Sequence, residues 1–178
     1  MRKPMLVVAL LAGLFTPAHA AVLAKCAPFD QEVTPVREHP VARIRAIYLH
    51  VLGQAGFPIN RFALCESNDP VPQIRQAHTS RGIIHEVLFP SYVAAYTDSE
   101  IEGLISHELG HVPLSANRPL TVLEEMNADE KGKRMVGRDS VTAGLSAIQR
   151  DILNLPTVFH RYGFIQLETR IRKLLSEK

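Results

Sequence analysis

"SHELGHVPL", residues 106–114, carries the pattern His-Glu-x-x-His at His107, Glu108 and His111, and the fold follows from how this stretch is read. A pattern with three fixed positions in five can arise by accident, so its surroundings carry the weight. The run TDSEIEGLISHELGHV, residues 97–112, opens with two overlapping capping boxes, Thr97 with Glu100 and Ser99 with Glu102. Ile101, Leu104, Ile105, Leu109 and Val112 recur at helical spacing, and Pro113 stops the helix. On that helix His107 and His111 are four apart and share one face, at the edge of the apolar stripe, where a cleft floor would lie. Two imidazoles so placed can share a tetrahedral zinc ion at roughly 2.0–2.1 Å. Glu108, rotated by about 100° from His107, is badly placed as a ligand but well placed as a general base for water.

A catalytic zinc site needs three protein ligands and an open position. The next helical run, TVLEEMNADEKGKRMVG at 121–137, supplies the candidates. It begins with a capping box, Thr121 with Glu124, and ends with Lys133 and Arg134 before Gly137. Glu125 is the candidate third ligand, from the first turn. Asp129, one turn later, can accept the free ring N–H of a ligating histidine and fix its tautomer. Glu124 competes for the ligand role, but its spacing suits the cap. The expectation is one Zn2+ per chain, held by His107, His111 and Glu125. A surface helix with two solvated histidines would explain the short pattern, but not the two capped helices in order.

Outward from this pair, the chain reads as α+β, mostly helical with a small mixed sheet. Val41, Ile44, Ile47, Tyr48, Val51 and Leu52 form a helical stripe that ends near Gly53 to Gly56. RFALCES and GIIHEVLF read as strands, QIRQAHTS as a weaker one, and two more helices follow at about Ser140–Leu153 and Gln166–Ser176. His78 and His85, isolated in the strand region, read as structural or surface residues.

Residues 1–20 combine Arg2 and Lys3, an apolar run from Met5 to Phe15 and the small-x-small ending Ala18-His19-Ala20, which reads as a cleaved signal peptide. The apolar run is shorter than the ~20 residues that span a bilayer. Residues 21–38 form a lead-in and 39–178 one domain. Removing Arg2 and Lys3 from 20 Lys and Arg leaves 18 against 18 Asp and Glu, so the formal charge falls from +2 to zero. That balance gives no support to a nucleic-acid or anionic-membrane partner. Two cysteines, Cys26 and Cys65, in an exported chain favour a disulfide over free thiols or isolated metal ligands.

With these motifs in order, the chain resembles the gluzincin metallopeptidases, and more narrowly the HtpX-like and CAAX-prenyl-protease-like family with its soluble periplasmic members. The likeness runs from about residue 41 to the C-terminus. HELGHV matches the family's His-Glu-x-x-His, and Glu125, Ala128 and Asp129 match its Glu-x-x-Ala-Asp, with Gly132 following. GRDSVTAGLSAI is similar to its Gly-x-Asp helix start, and LETRIRKL to its terminal Glu-x-Arg-Ile segment.

The resemblance implies a compact zincin-like domain that cuts peptide bonds in the cell envelope, in the bacterial periplasm or outside the cell, with unfolded or damaged proteins as substrates. It implies that QAHTSRGIIHEV forms the edge strand and hairpin beside the cleft, where substrate adds as an extended strand. Arg170 would stabilise the oxyanion. Three features depart from the family. The connector Val112 to Glu124 is shorter, Gln76-Ala77 stands for Asn-Ala, and no His-Pro precedes the arginine segment. His160 is the nearby substitute and a second candidate catalytic residue. Two other classes fit the same residues. One is a zinc-stabilised chaperone that holds extended peptides without cutting them. The other is a structural zinc domain whose site His160 closes. Oligomeric state is open.

Overall fold

The computed structural model describes residues 22–27, 37–69, 71–113, 120–152 and 160–176. Residues 1–20, expected to be a signal peptide, lie outside them, as does the side chain of His160. In chain order the elements are β1 (Arg37–Glu38), α1 (Ala42–Ala55), β2 (Phe62–Ser67), β3 (Gln73–Thr79), β4 (Gly82–Pro90), α2 (Asp98–Gly110), α3 (Val122–Val136), α4 (Arg138–Ile152) and α5 (His160–Ser176). The architecture is α+β.

The four strands form one mixed sheet in the order β1-β2-β4-β3. β2 runs parallel to β4, and β1 and β3 pair antiparallel with β2 and β4 respectively. QIRQAHT thus forms the edge strand β3, joined to β4 by a tight turn in which Thr79 faces Gly82. Alternation along the strands gives the sheet two apolar faces. Phe62, Leu64, Val87 and Phe89 belong to the main core with the helices, and Ile74 packs against it. Ala63, Cys65, Ile84 and Leu88 form a second cluster on the other face, against Ala24, Cys26 and Ala27.

Part of the lead-in is therefore a cover for the sheet. Cys26 and Cys65 are joined by a disulfide. The Ala24 amide donates to the Phe62 carbonyl at 2.9 Å. Beneath this segment the fully buried Glu86 accepts from Arg75 Nε at 2.6 Å and from the Ala27 amide, so its charge is compensated as burial demands.

α2 is the central helix, packed against α1, α3 and α4. From Gly103 to Gly110 every residue is buried, as expected of a helix with neighbours on several sides. Its N-terminus carries the Thr97–Glu100 capping box. The second expected box does not form, because Ser99 lies inside the helix. Its hydroxyl instead meets Ser140 of α4, whose own hydroxyl donates to Glu102 at 2.8 Å. These two polar residues tie α2 to α4. α3 carries the expected Thr121–Glu124 box and ends at Gly137. α5 starts at His160, a turn and a half before the expected Gln166. No helix among the described residues is long and apolar enough to cross a membrane.

Candidate metal centre

The regular part of α2 ends at Gly110, and His111 is its capping residue with φ −74° and ψ −12°. The His111 amide still bonds to the Glu108 carbonyl at 3.1 Å, and Val112 to Leu109 at 3.1 Å. This tightened last turn keeps both imidazoles on one face. Nε2 of His107 and Nε2 of His111 are 3.2 Å apart, with the rings nearly perpendicular.

α3 delivers the carboxylates because it comes very close to α2. A Cβ on Gly110 would stand 2.4 Å from the Ala128 carbonyl oxygen and 2.8 Å from its Cα. Only glycine fits at such a contact. From this crossing Glu125 reaches His107 Nε2 at 3.2 Å through one oxygen and His111 Nε2 at 3.8 Å through the other. Asp129 Oδ1 lies 2.8 Å from His107 Nδ1. The structure therefore brings His107, His111, Glu125 and Asp129 together, with Glu108 buried beside them.

Arg170 of α5 completes the cluster, against both carboxylates and the His107 ring. Its Nη1 donates to Glu125 at 2.8 Å, and Nε and Nη2 donate to the two oxygens of Asp129 at 2.7 Å each. Nη2 also lies 3.1 Å from His107 Nδ1. All three guanidinium nitrogens are thus engaged within the cluster, and Arg170 is buried. The resemblance implies an oxyanion-stabilising role for Arg170; its contacts here are with the acidic residues and His107.

The charges are strongly coupled. Burial and Arg170 push the His107 imidazole down, but its bonds to Asp129 and Glu125 prevail and raise it to about 9. His111 is lowered to about 4, by burial first and then by His107. Glu108 is raised to about 7, chiefly by burial, with His107 opposing the shift and Glu125 adding to it. Burial would raise Glu125 and Asp129. It is outweighed for Glu125 chiefly by His107 and for Asp129 by Arg170 and His107, which hold both below the usual carboxylate range.

The donor set fits a divalent metal ion. One ligand atom each from His107, His111 and Glu125 lie within 4.8 Å of one another. The two separations of 3.2 Å, His107 to His111 and His107 to Glu125, match the ~3.3 Å edge of a tetrahedron with ligands at 2.0–2.1 Å. Two imidazoles and a carboxylate are also the ligand types of catalytic zinc. Nδ1 of His107 already has its carboxylate acceptor, whereas Nδ1 of His111 is buried with no partner among the described residues.

Lys131 was not anticipated. Its Nζ donates to the carbonyls of Gly110 and Val112 at 2.8 and 3.1 Å. The available signal was a lysine between Ala128 and Gly132, a pair of small residues at helical spacing that marks a close helix contact. Compared with protein-family models, curated proteins and solved structures, the chain matches none.

Proposed function

We propose that this protein is a zinc-dependent endopeptidase of the cell envelope, acting on unfolded or damaged proteins. The observation that carries the reading is the convergence of His107, His111 and Glu125 with Glu108 buried beside them. The Cys26–Cys65 disulfide supports an exported protein, and the resemblance to soluble members of the HtpX-like family supports the zincin-like domain and its substrates. The position of β3 at the edge of the sheet supports strand addition by an extended peptide.

Zinc held by these ligands would supply Lewis acidity toward a peptide carbonyl and toward water. Glu108 takes the proton of the attacking water and delivers it to the leaving amine. Burial raises its carboxyl in the metal-free protein, which favours a group that can both take and return a proton. Asp129 holds His107 in the tautomer with Nδ1 protonated and Nε2 free for the metal. Arg170 fixes Asp129 and Glu125 in turn.

Glu108 distinguishes this reading from a peptide-holding chaperone, because holding zinc does not require that carboxylate. The test compares cleavage of an unfolded protein by the zinc-loaded wild type and by Glu108→Gln. Cleavage by the first alone, at equal zinc content, supports the peptidase. Zinc binding without cleavage in either removes it.

A further inference from the structure

The last turn of α2 has an uncommon task. It ends the helix, so its carbonyls lose their helical partners, yet it must hold His111 as rigidly as His107. His107 sits inside the helix, and its ring is gripped by Asp129 at 2.8 Å. His111 has neither advantage, being the capping residue with a buried Nδ1 that lacks a partner among the described residues.

We propose that Lys131 is the positioning residue for His111, an inference that rests on the zinc reading above. Its ammonium bonds the carbonyl of Gly110 at 2.8 Å and that of Val112 at 3.1 Å, on either side of His111. Fixing both carbonyls on one ammonium fixes the backbone rotations of His111 and Val112 between them. A cation is also the appropriate group at a helix C-terminus, where the carbonyl ends concentrate negative charge.

Lys131 gains leverage from its place on α3. It follows Asp129 by two residues and precedes Gly132, whose position abuts Ser106 of α2. The helix that presents Glu125 and Asp129 to the metal therefore also grips the turn that presents His111. The bonds of the Lys131 ammonium among the described residues are to backbone carbonyls, so it acts through the backbone of His111. The ammonium fixes the register of all three ligands relative to one another.

The experiment measures zinc affinity by competition with a chromophoric chelator, alongside the thermal midpoint of the zinc-free protein. The variants are Lys131→Met, which keeps the aliphatic stem, Lys131→Gln, which is uncharged and too short to bridge both carbonyls, and Lys131→Arg, which keeps the charge. Loss of a residue that supports a metal ligand costs about ten- to a hundredfold in affinity. Lys131→Met is expected to weaken zinc by about tenfold, the low end of that range, with Lys131→Arg recovering most of it. The visible spectrum of the cobalt-substituted Lys131→Met protein should depart from that of the wild type, because one imidazole is displaced. Should Lys131→Met fail to fold, the same comparison is read from Lys131→Gln. Wild-type affinity in the folded Met or Gln variant overturns the inference. So does a loss of affinity that tracks the fall in thermal midpoint and that Arg does not reverse. A wild-type protein that holds no zinc fails the function reading itself, and is recognised before any variant is compared.

Discussion

Arg170 grips Asp129 through two parallel bonds, Nε to one carboxylate oxygen and Nη2 to the other, both 2.7 Å. The oxygen bonded by Nη2 is also the one 2.8 Å from Nδ1 of His107. The planar fork thus orients a carboxylate that orients an imidazole, while the remaining Nη1 holds Glu125.

A lysine cannot reproduce this arrangement, because its ammonium is a point charge without the fixed fork. Arg170→Lys is expected to keep the fold but weaken zinc binding by about ten- to a hundredfold, the usual cost of disturbing a ligand's supporting shell. Arg170→Met, which removes the bidentate partner of the buried Asp129 and a partner of the half-buried Glu125, should in addition destabilise the metal-free protein by roughly 3 kcal/mol. Chelator competition and urea unfolding measure the two effects separately. Unchanged zinc affinity in Arg170→Lys would remove the clamp role.

Gly110 tests whether the α2–α3 approach builds the site. An added methyl would stand 2.4 Å from the Ala128 carbonyl oxygen, which is backbone and cannot swing aside. Gly110→Ala should therefore push the helices apart and destabilise the protein by about 1–3 kcal/mol, as overpacking does. Because Glu125 lies on the displaced helix, zinc affinity should fall with it. A variant with wild-type stability and wild-type zinc affinity would show that the approach is not needed.

The extent to which this molecule could be read from its sequence follows from the range of the interactions. His107, His111, Glu125 and Asp129 were legible because helical spacing and caps are local, and two such helices meeting through small residues leave little freedom. The strand β3 was legible only weakly, since QIRQAHT is largely polar and its pairing with β4 decides it. Ser99 and Glu102 were misread as a cap because their spacing is right, while the partner that claims both, Ser140, lies on another helix. The direction in which Arg170 points, and the Lys131 bonds to Gly110 and Val112, depend on how α5 and α3 dock. No sequence window contains that information.

The disulfide should stabilise the fold without touching the metal centre. Cys26 and Cys65 are 39 apart in sequence, and closing a loop of that size typically contributes about 2–4 kcal/mol. The bond sits in the cluster on the sheet face opposite the helical core. Cys26→Ser combined with Cys65→Ala should lower stability by that amount in denaturant unfolding while leaving zinc affinity within about twofold, since distant sites behave almost independently. A large loss of zinc affinity in a folded double variant would mean that the sheet cover and the metal centre are coupled.

Zinc uptake should be controlled chiefly by the proton of His107. In the metal-free protein this imidazole is raised to about 9, so it is protonated at neutral pH and must lose its proton to become a ligand. His111, lowered to about 4, is already neutral, and Glu125, held below the carboxylate range, is already ionised. Affinity should therefore rise about tenfold per pH unit between roughly pH 6 and 9 and level off above. The stability of the metal-free protein should move the other way. A histidine raised above its unfolded value of ~6.5 contributes stability that is complete below that pH and is lost as pH climbs toward the folded pKa. The thermal midpoint of chelated protein should accordingly fall between pH 6.5 and 9 as zinc affinity rises. Proton release per zinc near pH 7, measured by calorimetry in buffers of different ionisation enthalpy, should be about one from His107 plus the fraction carried by Glu108. No release at all would show that the Asp129 and Glu125 contacts do not hold a proton on His107.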